Sequence, residues 1–402
     1  MKQRVFLSHP TGNAFVREAV SALAEAGLLG EFHTTLAFFG SDWRGELRRR
    51  VYPDALREFT KKHPWREAAR LLAVRFGCDY LTRHEHGWAS VDAVYRSLDR
   101  KVARSFDAKN TAAVYCYEDG ALFTFRAAKR TDAKCFYDLP IGYWRSARQI
   151  LGEEAESRPE WASTIQGLHD SHEKLERKDA ELRLAERIVV ASSFTARTLK
   201  DCPFPVAPVS VIPYGADDPL AYRTPVRRGG PLRILFVGSL SQRKGIADVF
   251  ESVGAMGRHA ELTVIGRKTN SDCKPLVDAL ARCRWIPSLP RERILEEMRS
   301  QDVLVFPSLF EGFGLVVTEA LSQGLPVITT SHTCGPDVLT EGEDGFIVPI
   351  CDPQTIAEKL ELLHRDRSRL AAMSDAARKK AEGLKWADYR RRIVEVVTST
   401  SM

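Results

Sequence analysis

The chain has 402 residues, more than one hydrophobic core usually organises, so two domains of about 150 to 200 residues with an active cleft between them are expected. A hydrophobic fraction of 44% and a charged fraction of 28% are those of an ordinary globular protein and exclude fibrous or disordered architectures. A net charge of +6 is too small at this length to imply nucleic-acid binding without a patch that concentrates it.

The chain opens on basic residues and a short strand, Val5-Phe6-Leu7-Ser8, without the longer apolar stretch of a secretory signal. No run approaches the roughly 18 apolar residues that span a bilayer. A turn at Pro10-Thr11-Gly12-Asn13 leads into an amphipathic run from Ala14 through Leu29, an α/β opening. His9 stands just before that turn, as a strand-end residue or a candidate in the cleft. From Trp43 to Arg75 ten basic residues face four acidic ones, with Trp43, Tyr52 and Trp65 interleaved. That segment suits anionic lipid headgroups or an acidic acceptor, or else is a solvated helical face. The short Arg83-His84-Glu85-His86 run has no third convergent ligand in sequence and is weak evidence for a metal.

Further strands are expected at Ala112 to Tyr115, Lys134 to Tyr137 and Arg187 to Val190, alternating with helices such as His172 to Glu186. This alternation predicts a parallel sheet with helices on both faces. Glu118-Asp119-Gly120, beyond one strand, is a polar cluster that suits an acceptor. After Val209 to Gly215, the proline-rich segment 216–231 reads as a linker. It divides a first domain, 1–215, from a second, 232–383, whose strands are expected at Arg233 to Val237, Glu261 to Ile265, Val303 to Phe306 and Val327 to Ile328. Residues 384–402 are expected to form a terminal helix, with Trp386, Tyr389 and Ile393 at helical spacing. The eight cysteines are scattered singly, without C-x2-C spacing, and read as reduced thiols of a cytoplasmic chain.

The chemistry concentrates in Phe306-Pro307-Ser308-Leu309-Phe310-Glu311-Gly312-Phe313-Gly314-Leu315-Val316-Val317-Thr318-Glu319, read as strand, Gly-rich turn and helix. The glycines let backbone approach a ligand, and the helix start offers unpaired N–H groups suited to a diphosphate. Such a turn lies at the carboxyl end of a strand, where open α/β sheets bind ligands. Spacing alone also allows Glu311 as a helix cap and Glu319 as a solvated helical residue.

Here the sequence resembles the retaining glycosyltransferases of the GT-B fold, the family 4 type also described as glycosyl transferases group 1, which carry two glutamates separated by seven residues. Glu311 and Glu319 match them. The fold so implied is α/β, with two Rossmann-like doubly wound domains facing a central cleft, the first on the acceptor side and the second binding the nucleotide sugar. Gly238-Ser239-Leu240-Ser241-Gln242-Arg243-Lys244-Gly245 is similar to the family's strand, loop and Lys-Gly element. Lys244 then neutralises the donor diphosphate. Ser239 stands where the family often has Arg, so the guanidinium role passes to Arg243. By the same resemblance Glu311 bonds hydroxyls of the transferred sugar and Glu319 the ribose hydroxyls. Phe313, Gly314, Leu315, Val316, Gly12 and Ser239 complete the donor-binding set. Asp138, at a strand end where many relatives have histidine, is expected in the sugar pocket, and Glu118, Asp119, His9 and Asn13 on the acceptor side. Asp337 stands where the family's acidic turn usually has glutamate and is taken as structural.

The implied activity is transfer of a hexose-type sugar, with retention, from a UDP- or GDP-linked donor to a saccharide or lipid-linked acceptor, with no cofactor and no metal. Peripheral contact with the inner membrane face through Arg44 to Arg75 is also expected. The rival readings are a GT-B phosphorylase or nucleotide-sugar epimerase and a non-catalytic sugar-nucleotide-binding subunit. A phosphorylase needs a cofactor lysine motif that is absent here. A dinucleotide oxidoreductase is disfavoured because neither domain opens on G-x-G-x-x-G.

Overall fold

The computed structural model describes residues 4–40, 50–107, 110–165, 167–221, 229–270 and 272–401. Two parallel sheets organise them. The first contains β1 (Val5–Ser8), β2 (Leu29–Thr34), β5 (Thr60–Lys62), β6 (Ala113–Tyr117), β7 (Lys134–Leu139), β8 (Arg187–Val190) and β9 (Val209–Val211), in the order β5-β2-β1-β6-β7-β8-β9. A small pair, β3 (Phe38–Phe39) and β4 (Val51–Tyr52), lies apart from it. The second sheet contains β10 (Leu232–Val237), β11 (Ala260–Ile265), β12 (Arg284–Ile286), β13 (Val303–Phe306), β14 (Val327–Thr330) and β15 (Gly345–Val348), in the order β12-β11-β10-β13-β14-β15. In each sheet the order reverses beside the first strand, the switch point at which doubly wound sheets open a crevice. Strands such as β1, β6 and β13 are buried at every residue, so their apolar runs are continuous rather than alternating.

Three local readings change. The first helix spans Ala14–Glu25 and stops short of Leu29, because Gly27 takes φ 69° and the chain turns into β2. Within the basic segment, Thr60–Lys62 is an edge strand and the helix is confined to Trp65–Arg75; residues 41–49 lie outside the described residues. In the linker, Ala216 pairs with Lys385 and the Leu220 N–H donates to Ser322 O at 3.0 Å, while 222–228 lie outside the described residues.

The last helix, Trp386–Ser401, returns to the N-terminal unit. Its Tyr389 hydroxyl donates to Phe15 O at 3.4 Å, and Arg390 donates to Glu18 and, at 3.0 Å, to Glu25. Tyr214 joins the two halves: its ring stacks on Phe15 at 5.0 Å and meets Phe313 at 4.9 Å and Trp386 at 6.0 Å. At Gly215 a Cβ would meet the Trp386 backbone nitrogen at 2.4 Å, so this crossing requires glycine.

On the other rim the halves are tied by polar contacts. The hydroxyls of Ser192 and Thr195 donate to Gly312 O at 2.6 and 3.0 Å, and the Ser193 N–H donates to Asp337 Oδ2 at 2.9 Å, which gives Asp337 a structural partner. Gln242 Nε2 donates to Glu154 at 2.6 Å, and Arg158 pairs with buried Asp248 at 3.0 Å.

Candidate active site

The loop after β13 and the loop after β10 lie against each other. The Leu309 N–H and the Ser308 hydroxyl both donate to Arg243 O, at 2.9 and 3.0 Å, and Arg243 Nη1 donates to Phe310 O at 2.7 Å. Two glycines permit this approach. A Cβ on Gly245, at φ 69°, would lie 2.1 Å from Pro307 O, and one on Gly312 would lie 1.8 Å from Pro140 O across the cleft. Gly314, at φ 89°, is the N-cap of the helix Leu315–Ser322, which has no side-chain cap and no acidic residue in its first turn. The positive end of that helix therefore has no side-chain cap, and Glu311 lies beside it.

Two cations and one carboxylate meet there. Lys244 Nζ pairs directly with Glu311 Oε2, and Arg243 Nη1 lies 3.5 Å from the same oxygen. All three side chains are largely buried. One positive charge is thus left over in a poorly solvated site, where unit charges 4 Å apart interact by about 4 kcal/mol at an effective dielectric of 20. Burial lowers Arg243 to about 10 and, together with the adjacent Arg243 charge, pushes the Lys244 ammonium well below its ordinary value; the Glu311 carboxylate works against that. An arriving anion would restore both. Ser239 is exposed and supplies no charge.

Glu319 lies on the same helix, largely buried, and accepts from Arg291 Nε at 2.9 Å. Burial raises its pKa, and Arg291 opposes the rise. Arg291 also pairs with Asp217, so the guanidinium at the start of the helix Arg291–Ser300 joins the Glu319 helix to the linker. Arg291 is absent from the sequence-based set: it stands 28 residues before Glu319, and no local pattern marks it. Leu315 and Val316 are half-buried beside the helix start, whereas Phe313 is buried against Tyr214.

Residues 222–380 match the family model for glycosyl transferases group 1. The match covers about two-fifths of the chain. The group 1 segment carries the likeness to curated relatives. The capsular polysaccharide biosynthesis glycosyltransferase CapM of Staphylococcus aureus is 32% identical over 157 residues, 37% of this chain and 40% of that protein. The D-inositol 3-phosphate glycosyltransferase of Corynebacterium kroppenstedtii is 30% identical over 177 residues, 40% of this chain and 39% of that protein. These matches span about two-fifths of each relative. Beyond the group 1 segment, the fold likeness runs the full length of the chain. Sucrose-phosphate synthase from Thermosynechococcus elongatus gives a TM-score of 0.69 at 16% identity, covering 99% of this chain and 98% of that one. HepE of Anabaena, solved with UDP and glucose, gives 0.67 at 14% identity, covering 99% and 100%. The fold is GT-B.

Facing the group 1 segment, the N-terminal unit holds its polar groups differently. Asp138 is buried, accepts from the Tyr115 hydroxyl at 2.6 Å, and has its pKa pushed up to about 7 by burial. It shares a sheet face with Phe136, and its carboxylate acts on the buried Tyr214 and Tyr389 hydroxyls at the crossing between the units. His9 is buried among Phe15, Tyr95 and Tyr117, with the Tyr117 ring at 4.7 Å, and burial lowers it to about 4, so it is neutral at pH 7. The Thr11 N–H lies 3.0 Å from His9 Nδ1. Gly12 is buried, its carbonyl accepting from Arg17, and Asn13 is the N-cap of the first helix without a side-chain cap bond.

Glu118 and Asp119 are neutralised within the fold. Lys178 lies 3.4 Å from Glu118, and Arg177 pairs with Asp119 at 2.9 Å. Burial raises Glu118 to about 7, against the pull of Lys178. Glu181, wholly buried, accepts from the N–H groups of Asp119, Ala121 and Leu122 and holds that turn. His84, Glu85 and Asp170 come close enough to share a cation, with His84 Nε2 3.0 Å from Asp170 and 3.3 Å from Glu85. Lys174 Nζ already sits 3.0 Å from Asp170, so an ammonium occupies the place a metal would compete for.

Proposed function

We propose that the chain is a retaining glycosyltransferase that moves a hexose-type sugar from a UDP- or GDP-linked donor to a saccharide or lipid-linked acceptor, without a metal. The observation that carries this reading is the excess cation of Arg243 and Lys244 over Glu311 beside an uncapped helix start. It meets the charge that a diphosphate gains as it departs. HepE, whose fold this chain shares, was solved with UDP and glucose, which supports a nucleotide-sugar site.

In this mechanism the donor pyrophosphate displaces Glu311 from Lys244. The freed carboxylate accepts hydrogen bonds from the sugar hydroxyls, and Glu319, held by Arg291, accepts from the ribose. The bond between the anomeric carbon and phosphate oxygen breaks as the acceptor oxygen bonds to that carbon on the same face. The acceptor proton passes to the departing phosphate, and the nucleoside diphosphate remains on Lys244, Arg243 and the helix N–H groups. No carboxylate nucleophile enters this mechanism, in which Glu311 is engaged with hydroxyls.

Calorimetric titration with UDP and with GDP in a chelator tests the reading, alongside Glu319→Ala. Binding of one nucleotide that weakens in the variant supports it and names the base. Failure of both to bind, with or without magnesium, would overturn the donor assignment.

A further inference from the structure

Among the described residues, eight large apolar side chains are strongly exposed, and seven of them fall between Trp65 and Val91. Trp65, Tyr80 and Phe76 are 78%, 74% and 72% exposed, and Leu72, Val74, Trp88 and Val91 are each more than half exposed. They are not scattered. On the helix Trp65–Arg75 and its cap, Trp65, Leu72 and Phe76 recur at helical spacing on one face, with Glu67 buried on the other and Ala73 buried at the flank. The short helix Asp79–Thr82, which carries Tyr80, packs on this helix, and Arg66 lies over the Trp88 ring at 4.9 Å. Buried Arg50 fixes the helix by pairing with Glu67, which Arg70 also holds at 2.7 Å. A rigid helix thus presents its apolar face outward, the reverse of ordinary amphipathic packing.

Charge selects the occupant. The ten basic and four acidic residues of 43–75 account for the whole net charge of +6, so the rest of the chain is balanced. Lys61 and Lys62 sit exposed on edge strand β5, with Arg75 exposed at the end of the helix. Aromatic and aliphatic side chains rimmed by lysine and arginine match the interface of an anionic bilayer, where rings enter the headgroup layer and cations stay at its surface.

We infer that this face of the N-terminal unit docks on anionic membrane, with Trp65, Leu72 and Phe76 inserting and Lys61 and Lys62 at the headgroups. Its functional sense, holding the acceptor side of the cleft against a lipid-borne acceptor, rests on the transferase reading, but docking itself does not. The orientation puts β5, the edge of the first sheet, nearest the lipid.

The test is sedimentation of the full chain with phosphatidylglycerol-containing vesicles and with pure phosphatidylcholine vesicles, at low and high salt. We expect binding to the anionic vesicles that weakens with salt, a blue shift of tryptophan emission, and a loss of about tenfold or more in Trp65→Ser/Phe76→Ser. Lys61→Glu/Lys62→Glu should also lose binding. Both variants should keep the parent's nucleotide affinity and melting temperature, so failure of docking and failure of the donor site are read separately. Absence of anionic-vesicle binding at low salt, equal binding by the variants, or a dimer that the Trp65→Ser/Phe76→Ser change dissociates would overturn the inference.

Discussion

The two halves of the molecule share a doubly wound parallel architecture but treat buried charge in opposite ways. In the N-terminal unit, Glu118, Asp119, Asp92 and Asp170 are matched by Lys174, Arg177 and Lys178 within one network. In the C-terminal unit, the strand-end loops hold Arg243 and Lys244 against Glu311 alone. A network in which every carboxylate has a cationic partner stabilises a fold. One left with an excess invites a ligand of the opposite sign.

The strongest way to break this contrast is to remove one lysine from each side. Lys244→Met should lower kcat/KM for transfer by 100-fold or more, about 3 kcal/mol or above, with little change in melting temperature. Lys178→Met should do the reverse, costing about 3–5 kcal/mol of stability because Glu118 loses its buried partner. Kinetics and thermal unfolding of both variants decide it, and a Lys178 variant that folds normally but loses transfer would put catalysis in the N-terminal unit.

A second prediction concerns pH. Asp138 is raised to about 7, so the folded state holds its proton over a range where the unfolded chain, near 3.8, has released it. Its contribution to stability is complete below about pH 4 and is lost as pH rises through about 7, by up to about 4 kcal/mol. Urea unfolding from pH 4 to 8 should therefore show a flatter profile for Asp138→Asn than for the parent. An unchanged difference between the two across that window would refute the assignment.

Smaller effects sharpen the donor side. Arg291→Ala frees Glu319, and we expect nucleotide affinity to fall by about tenfold, or 1.4 kcal/mol, with kcat less changed. Nucleotide titration distinguishes this from a loss confined to turnover. Asp337→Asn, at the tie to the Ser193 N–H, should cost about 1 kcal/mol of stability in denaturant unfolding.

What was legible in the sequence follows the same division. The chemistry of the C-terminal unit lies in continuous stretches, Gly238 to Gly245 and Phe306 to Glu319, where strand, glycine turn and helix follow one another and the residue types state the geometry. Arg291 and Asp217 join Glu319 only through folding, from 28 residues before Glu319 and 74 before Arg291, and no spacing rule reaches that far. Asp138 shows another limit. Its position at a strand end was readable, but the face its carboxylate takes depends on alternation along β7, which puts Asp138 with Phe136 and turns Tyr137 and Leu139 to the other side. Short strands with polar residues, β2 with Gly30 and Glu31 and β5 with two lysines, are fixed by their parallel neighbours and lack a continuous apolar run.

The residues flanking Glu311 both belong to the contact between the two units. Phe310 packs where a Cβ on Gly142 would touch its ring at 2.4 Å, and Gly312 receives the Ser192 and Thr195 hydroxyls. A glutamate suspended between two such anchors takes its position from how the units meet. In the transferase reading, a donor that engages Glu311 favours the contact between the units that positions it, and by reciprocity that contact raises affinity for the donor by the same factor. A change at Thr195 or Gly142, which belong to the acceptor half, would then be felt as altered affinity for a sugar bound by the other half.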